Sequence, residues 1–281
     1  MRIDAHHHFW NPEVREYPWM AGDALAPIRR PIGPDDLRPE LESAGIEGTV
    51  LVQTIGSVSE TEEFLEVADV TDFVKGVVGW VDLTDAEVGD TLDTLMAGPG
   101  GAYLKGIRHQ AHDEADENWL ARPDVIAGVA ACADRGLVQD LLSKEPQLPA
   151  CITIADMLPE VTFVLDHIAK PRIAEGELEP WRALIVELAR RENVVCKLSG
   201  MITEADWTGW SVDDLRPYAD IVLDAFGPER VMFGSDWPVC LLAGSYGDVV
   251  AAAEALTTGL STSERDGVFG GVAQRVYGLR T

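Results

Sequence analysis

Positive charge is scarce in this chain. It has 22 Lys and Arg against 48 Asp and Glu, a formal charge of −26 over 281 residues. That balance argues against nucleic acid as the main partner, because phosphate binding needs a basic face. It argues equally against an anionic membrane surface. Long apolar runs are also missing, and none reaches the roughly 18 residues of a membrane span. Met1-Arg2-Ile3-Asp4 opens without the apolar core of a signal peptide. The four cysteines, Cys132, Cys151, Cys196 and Cys240, lie far apart and form no Cys-X-X-Cys pair. They are expected to be buried thiols in a reducing cytoplasm. No Gly-X-Gly-X-X-Gly follows the first apolar run, which counts against an open dinucleotide-binding sheet. No serine sits in a Gly-X-Ser-X-Gly elbow, so an activated serine is not indicated.

What is present is a rhythm. Eight short, β-rich apolar runs alternate with helical stretches: Ile3–His8, Thr49–Thr54, Val74–Val81, Tyr103–His109, Leu137–Leu142, Val161–Ile168, Val194–Ser199 and Val231–Asp236. Most are nearly continuous in apolar residues, as expected for strands buried on both faces. Between them, Asp36–Ala44, Ala183–Arg191 and Asp248–Leu256 carry helical spacing. Thr84-Asp85-Ala86-Glu87 has the form of a capping box before Val88. Ser211-Val212-Asp213-Asp214 caps another helix, closed by Gly227-Pro228. Eight such units in this length predict one α/β domain over residues 1–281, a (β/α)8 TIM barrel. Ser261–Leu279 reads as an extra C-terminal helix on the barrel exterior. Phe9–Pro34 is a long connection punctuated by five prolines, the kind of loop that often covers a site.

In such a barrel the chemistry lies at the C-terminal ends of the strands. Here the runs end in polar residues one after another. The first closes in His6-His7-His8, the fourth in Arg108-His109, the sixth in Asp166-His167 and the eighth in Ser235-Asp236. His6 and His8 are two apart on a strand and share a side, while His7 faces the helices. Facing inward, the pair suits either two ligands of one metal or two hydrogen-bond donors to one oxygen. A lone His-X-His is weak evidence, but one on the first strand with a carboxylate on the eighth is much stronger. Asp236 is the candidate base that takes a proton from water. His167 is a second candidate catalytic group. Arg108 can hold a carbonyl or carboxylate bidentately, and His109 beside it is read as substrate-binding. Lys197 either polarises a carbonyl or pairs with a carboxylate such as Asp140 or Asp236, and the sequence supports both equally. Trp10, Trp19 and Trp237 flank the expected mouth, where an indole can stack on a sugar ring. His112, in an acidic stretch, reads as loop surface.

Five motifs together resemble the amidohydrolase superfamily. They are Asp4-Ala5-His6-His7-His8-Phe9-Trp10, Gly106-Ile107-Arg108-His109-Gln110, Asp166-His167-Ile168-Ala169-Lys170-Pro171, Lys197-Leu198-Ser199-Gly200 and Gly234-Ser235-Asp236-Trp237-Pro238. The closer resemblance is to the amidohydrolase-2 branch, which contains sugar lactonases and the 2-pyrone-4,6-dicarboxylate lactonase. It implies hydrolysis of a cyclic ester, with a sugar-acid lactone of the fucono-, rhamnono- or galactono- type as the small-molecule partner. In metal-dependent relatives, the residues matching His6, His8 and Asp236 bind one or two divalent ions. The chain departs from the two-metal pattern, because its fifth run has no histidine and its fourth ends in Arg108-His109. A single ion, zinc above all, held by His6, His8, His167 and Asp236, is one expectation, and metal-free catalysis is the other. Two further functions stay open on sequence. One is a zinc-dependent amidohydrolase or decarboxylase acting on an aromatic or amide substrate. The other is a barrel that binds a sugar acid without turnover.

Overall fold

The computed structural model describes residues 1–280. Eight strands follow one another around a single parallel sheet in chain order: β1 (Ile3–His7), β2 (Gly48–Val52), β3 (Val74–Gly79), β4 (Leu104–His109), β5 (Val138–Leu141), β6 (Phe163–Leu165), β7 (Val194–Leu198) and β8 (Val231–Phe233). The sheet closes at its C-terminal rim. Asp236 N donates to His6 O at 2.8 Å and His8 N donates to Trp237 O at 2.7 Å. The connecting helices are α1 (Pro34–Ala44), α2 (Val58–Val70), α3 (Val88–Ala97), α4 (Pro123–Ala133), α5 (Leu148–Met157), α6 (Trp181–Leu188), α7 (Met201–Glu204), α8 (Val212–Phe226) and α9 (Tyr246–Leu256). The expected (β/α)8 barrel is therefore present. None of these helices is long and apolar enough to cross a membrane.

Alternation along each strand builds two cores. Leu51, Val77, Ile107, Leu141, Phe163, Leu165, Cys196 and Phe233 face the helices. Ile3, Ala5, Val50, Val52, Val78, Val138, Val164, Val195 and Met232 fill the lower barrel. The four cysteines are buried free thiols, as the sequence suggested.

Two local expectations fail. Helix α3 begins at Val88 with Glu87 as its N-cap and no side-chain cap. Thr84 instead bonds Asp82, through its N–H at 2.9 Å and its hydroxyl at 2.6 Å. A local turn has captured the residue that the capping pattern assigned to the helix. In the C-terminal segment, helices α10 (Thr262–Asp266) and α11 (Val272–Tyr277) joined by a π-helical turn at Gly267–Gly271, α10 is on the exterior and buries no residue, but α11 is not. Val272, Ala273, Tyr277 and Leu279 pack onto the inner-barrel cluster and cover its N-terminal mouth. The apolar lower ends of the strands need a lid there, and the last helix supplies it.

Candidate active site

A bulge on β1 brings the first histidines inward. Pairing with β2 runs Asp4↔Thr49 and then His7↔Leu51, so one extra residue is inserted. Such an insertion re-aims the side chains that follow it. Ala5 stays in the inner cluster, His6 reaches charged residues of β4, β7 and the turn after β6, and His7 turns out to Thr49 Oγ1 at 2.9 Å. His8 faces inward again, its Nδ1 donating to Val52 O at 2.7 Å. Gly234 makes room just past β8, since a Cβ there would meet His6 Cβ at 2.7 Å. Asp4, beneath, accepts from Ser235 N at 2.8 Å and from Tyr246 OH at 3.1 Å, locking the β1 and β8 ends together.

His167 arrives by a different device. After β6 four consecutive non-glycine residues, His167 to Lys170, adopt left-handed φ values between 48° and 59°. Each such residue costs on the order of 1–2 kcal/mol. The run is stabilised by tertiary contacts: His167 Nδ1 meets Ser199 Oγ at 2.8 Å and Trp181 Nε1 donates to Ile168 O at 2.7 Å. Asp236 also has a left-handed φ of 57°, a conformation aspartate tolerates better than most residues.

These elements converge on one carboxylate. Asp236 Oδ1 lies 3.4 Å from His8 Nε2, 3.8 Å from His167 Nε2 and 3.9 Å from His6 Nε2. His6 Nε2 is 3.2 Å from His8 Nε2 and 3.2 Å from Arg108 Nη1. The Arg108 guanidinium donates from Nη1 to Asp166 Oδ2 at 3.0 Å, and from Nη2 to Gln53 Oε1 at 2.9 Å. Burial works against ionisation of Asp236, but the rings of His167 and His8 and the Lys170 ammonium outweigh it and hold the pKa down at about 2. Burial pushes His6 and His167 well below the usual imidazole range, so both rings are neutral at pH 7. A carboxylate beside the neutral imidazoles of His6 and His167 and a guanidinium is suited to accepting a proton while the surrounding N–H groups receive negative charge.

Above this floor opens a cavity of about 390 Å³ whose walls include His8, Arg108, His167 and Asp236. Three residues expected to touch substrate do not line it, and each placement has a physical reason. His109 alternates with Arg108 on β4 and so points outward. It stacks on Trp119 with centroids 3.9 Å apart and meets Glu114 Oε1 at 2.8 Å. Lys197 lies below the floor, fully buried, with Nζ 2.5 Å from Asp140 and 2.9 Å from Asp166. Of the two readings open on sequence, the structure favours the paired one, with Asp140 and Asp166 rather than Asp236 as partners. Trp10 is buried and ties down the proline-rich loop, donating from Nε1 to Ile28 O at 2.9 Å. The loop instead offers the cavity Trp19, held edge-on against Trp10 with centroids 5.3 Å apart, and Leu25.

The walls also contain Lys144, Lys170, Glu204, Trp207 and His112, none of which sequence reasoning singled out as a site residue. His112 is not loop surface. Burial, then the charges of Lys170, Lys144 and Arg108, depress its pKa to about 3. Lys170 pairs with Glu204 at 2.7 Å. The missed signal was positional, since Lys144, His112 and Lys170 each follow a strand end by only a few residues, where barrel loops carry function.

The amidohydrolase family model matches residues 3–279. The chain belongs to the amidohydrolase family. It is similar, at 40% identity over 290 residues, to an L-fucono-1,5-lactonase of Burkholderia multivorans, covering 99% of this chain and 96% of that one. An L-fucono-1,5-lactonase of Burkholderia ambifaria is also 40% identical, over 98% of this chain and 95% of that one. The crystal structure of a Burkholderia multivorans amidohydrolase with bound zinc superposes with a TM-score of 0.93 at 39% identity, covering both chains fully.

The donor set of this amidohydrolase fits a divalent ion. His6, His167 and Asp236 each offer one ligand atom within 4.8 Å of the others. His8 joins them, its Nδ1 on Val52 O and its Nε2 at 3.4 Å from Asp236 Oδ1. Two or three imidazoles and one carboxylate suit zinc.

Proposed function

We propose that this protein opens the ring of a sugar-acid lactone, of the fucono- type or a close relative, by attack of water on the lactone carbonyl. The observation that carries the reading is the convergence of Asp236, three imidazoles and Arg108 on the floor of one cavity. Its similarity over nearly the whole chain to two L-fucono-1,5-lactonases gives the substrate class. Trp19, Trp207, Lys144, Gln110 and Thr54 in the walls offer an apolar ring face and polar partners for a polyol.

Asp236 accepts a proton as a water molecule adds to the carbonyl carbon. Charge accumulates on the carbonyl oxygen, where the Arg108 guanidinium and the ring N–H groups stabilise it. The tetrahedral carbon then expels the ring oxygen, and Asp236 returns its proton to that leaving alkoxide. One water is consumed, one C–O bond forms, one breaks, and a hydroxy acid results. A divalent ion, zinc by its donor chemistry, would be held by His6, His8, His167 and Asp236 and would supply Lewis-acid polarisation at that oxygen.

The test is a pH-indicator screen of purified protein over a panel of sugar lactones, with chelator and with added zinc, beside metal analysis. Turnover of at least one aldonolactone is expected. No turnover on the panel, with aldonate binding retained, would support a binding barrel instead. Stoichiometric zinc with activity confined to aromatic carboxylates or amides would support a decarboxylase or amidase.

A further inference from the structure

We propose that Lys170 and Glu204 form one specificity-determining dyad that reads two adjacent hydroxyls of the substrate ring. On this assignment the cavity takes a neutral polyhydroxylated lactone, not one recognised at this wall through a second carboxylate. The proposal deepens the lactonase reading above and rests on it for the reaction. The pair comes from two neighbouring loops. Lys170 ends the left-handed run after β6, with φ 48°. Glu204 ends α7, which follows β7 through Gly200 at φ 64°. A Cβ at Gly200 would meet His167 Nδ1 at 2.7 Å, so both the turn and the close approach of the loops require glycine there. Ala174 N donates to Glu204 O at 3.0 Å and ties the two loops together.

Lys170 Nζ lies 2.7 Å from Glu204 Oε1, and both residues line the cavity with side chains 16% and 25% exposed. They are therefore held in place yet within reach of a ligand. Burial works against the ammonium, but Glu204 and then Asp236 outweigh it and raise its pKa above the ordinary lysine value. Lys170 is thus charged at pH 7. An ammonium has three N–H donors, and a carboxylate accepts on both oxygens. Among the described residues, Glu204 Oε1 is the only hydrogen-bond partner of Lys170 Nζ, and Glu204 Oε2 has none. Two donors and an acceptor oxygen are left side by side on one wall. A hydroxyl uses both kinds of partner, since it donates one proton and accepts on its oxygen. Two hydroxyls on adjacent carbons can straddle the pair, one accepting from Lys170 and the other donating to Glu204. A substrate carboxylate gains little from the same pair, because Glu204 repels what Lys170 attracts. Trp207, just beyond Glu204 in the chain, also lines the cavity. Its indole N–H is used on Thr203 O at 2.8 Å, which leaves the ring itself to cover the C–H side of a sugar.

The test measures kcat/KM on the best sugar lactone of the panel and on its mono-deoxy analogues. The wild type is compared with Glu204→Ala and Glu204→Gln, with folding checked by circular dichroism. The wild type should lose about 10- to 100-fold on analogues lacking either of two adjacent hydroxyls, the usual contribution of a hydrogen bond to a charged group. Glu204→Ala should lose as much on the parent lactone. Its discrimination should vanish at one of those positions, weaken at the adjacent one and persist elsewhere on the ring. Glu204→Gln, whose amide oxygen still accepts, should fall between. Equal losses on the parent and every analogue overturn the proposal, as does discrimination that survives Glu204→Ala. Calorimetric titration with L-fuconate, L-rhamnonate and D-galactonate and their deoxy forms repeats the comparison without turnover. A protein inactive on every lactone fails the lactonase reading, and the binding data then decide the dyad alone. The same positional pattern supports it, and a wild type that binds none of these aldonates overturns it too.

Discussion

Two charged layers lie one above the other inside this barrel, each built around buried aspartates. The lower layer, Asp140, Lys197 and Asp166 with Tyr277 beneath, is buried, and each charge faces a partner of opposite sign. The upper layer, Asp236 with His8, His167 and Arg108, opens on the cavity. Among the described residues its carboxylate has no side-chain ion pair as short as those below, with the nearest ring nitrogen at 3.4 Å. Satisfied groups hold geometry, and under-satisfied ones are free to exchange partners with a substrate. His6 joins the layers, with Nδ1 below and Nε2 above.

The contrast is broken most severely at Asp236. Asp236→Asn is expected to lower kcat by about 10²–10⁴-fold, the range for loss of a general base, while aldonate binding measured by calorimetry persists. Substantial residual turnover would remove Asp236 from the role of base. The pH dependence carries the same information. The folded-state pKa of Asp236 lies near 2, below the ordinary 3.8. Its contribution to stability is therefore present above about pH 4 and lost as pH falls through the folded value. In chelator-treated protein, kcat/KM should show no loss assignable to Asp236 between pH 5 and pH 7. A limb in that window that disappears in Asp236→Asn would show that the carboxylate is not held low.

The lower layer should fail in stability before chemistry. Lys197→Met leaves Asp140 without its cation and Asp166 with the Arg108 guanidinium alone, and removing one partner of a buried pair costs about 3–5 kcal/mol. Urea unfolding should show that loss. Combining it with Asp140→Leu should recover part of it, because the uncompensated charge is removed along with its partner. A Lys197→Met variant as stable as wild type would mean that water reaches this layer.

How much of this was legible in the sequence differs between strands and loops. The eight strands showed themselves by composition because both faces are buried, and the polar residue ending each one marked the mouth. Asp236, His6, His8, His167 and Arg108 follow from that one rule. His109 was misplaced because adjacency in sequence is opposition across a strand. Trp10 was misplaced because the loop that carries it folds back, pairing Trp10 with Ile32. Lys144, His112 and Lys170 sit in loops, where no period says which way a side chain points. The last helix was placed on the exterior because only the closed barrel reveals an apolar mouth in need of cover.

Lys144 sharpens the upper layer with a smaller effect. Among the described residues its ammonium has no hydrogen bond or ion pair, although it lines the cavity. A charged hydrogen bond to a substrate hydroxyl is worth about 1.5–3 kcal/mol. Lys144→Ala should therefore raise KM for the best lactone by about tenfold or more, with kcat little changed. An unchanged KM would place the ring elsewhere in the cavity.

The smallest effect is expected one residue along from Arg108. His109 shares a strand with the guanidinium but packs on the far side of the sheet against Trp119. His109→Ala forfeits an aromatic contact worth about 0.5–1.5 kcal/mol of stability and leaves the cavity floor untouched. Calorimetric unfolding should register the first, and kcat and KM on the lactone should match the wild type. A large loss of kcat in a fully folded His109→Ala protein would mean that the outward face of β4 communicates with the site. The separation between a reacting interior and a packing exterior would then not hold at this strand.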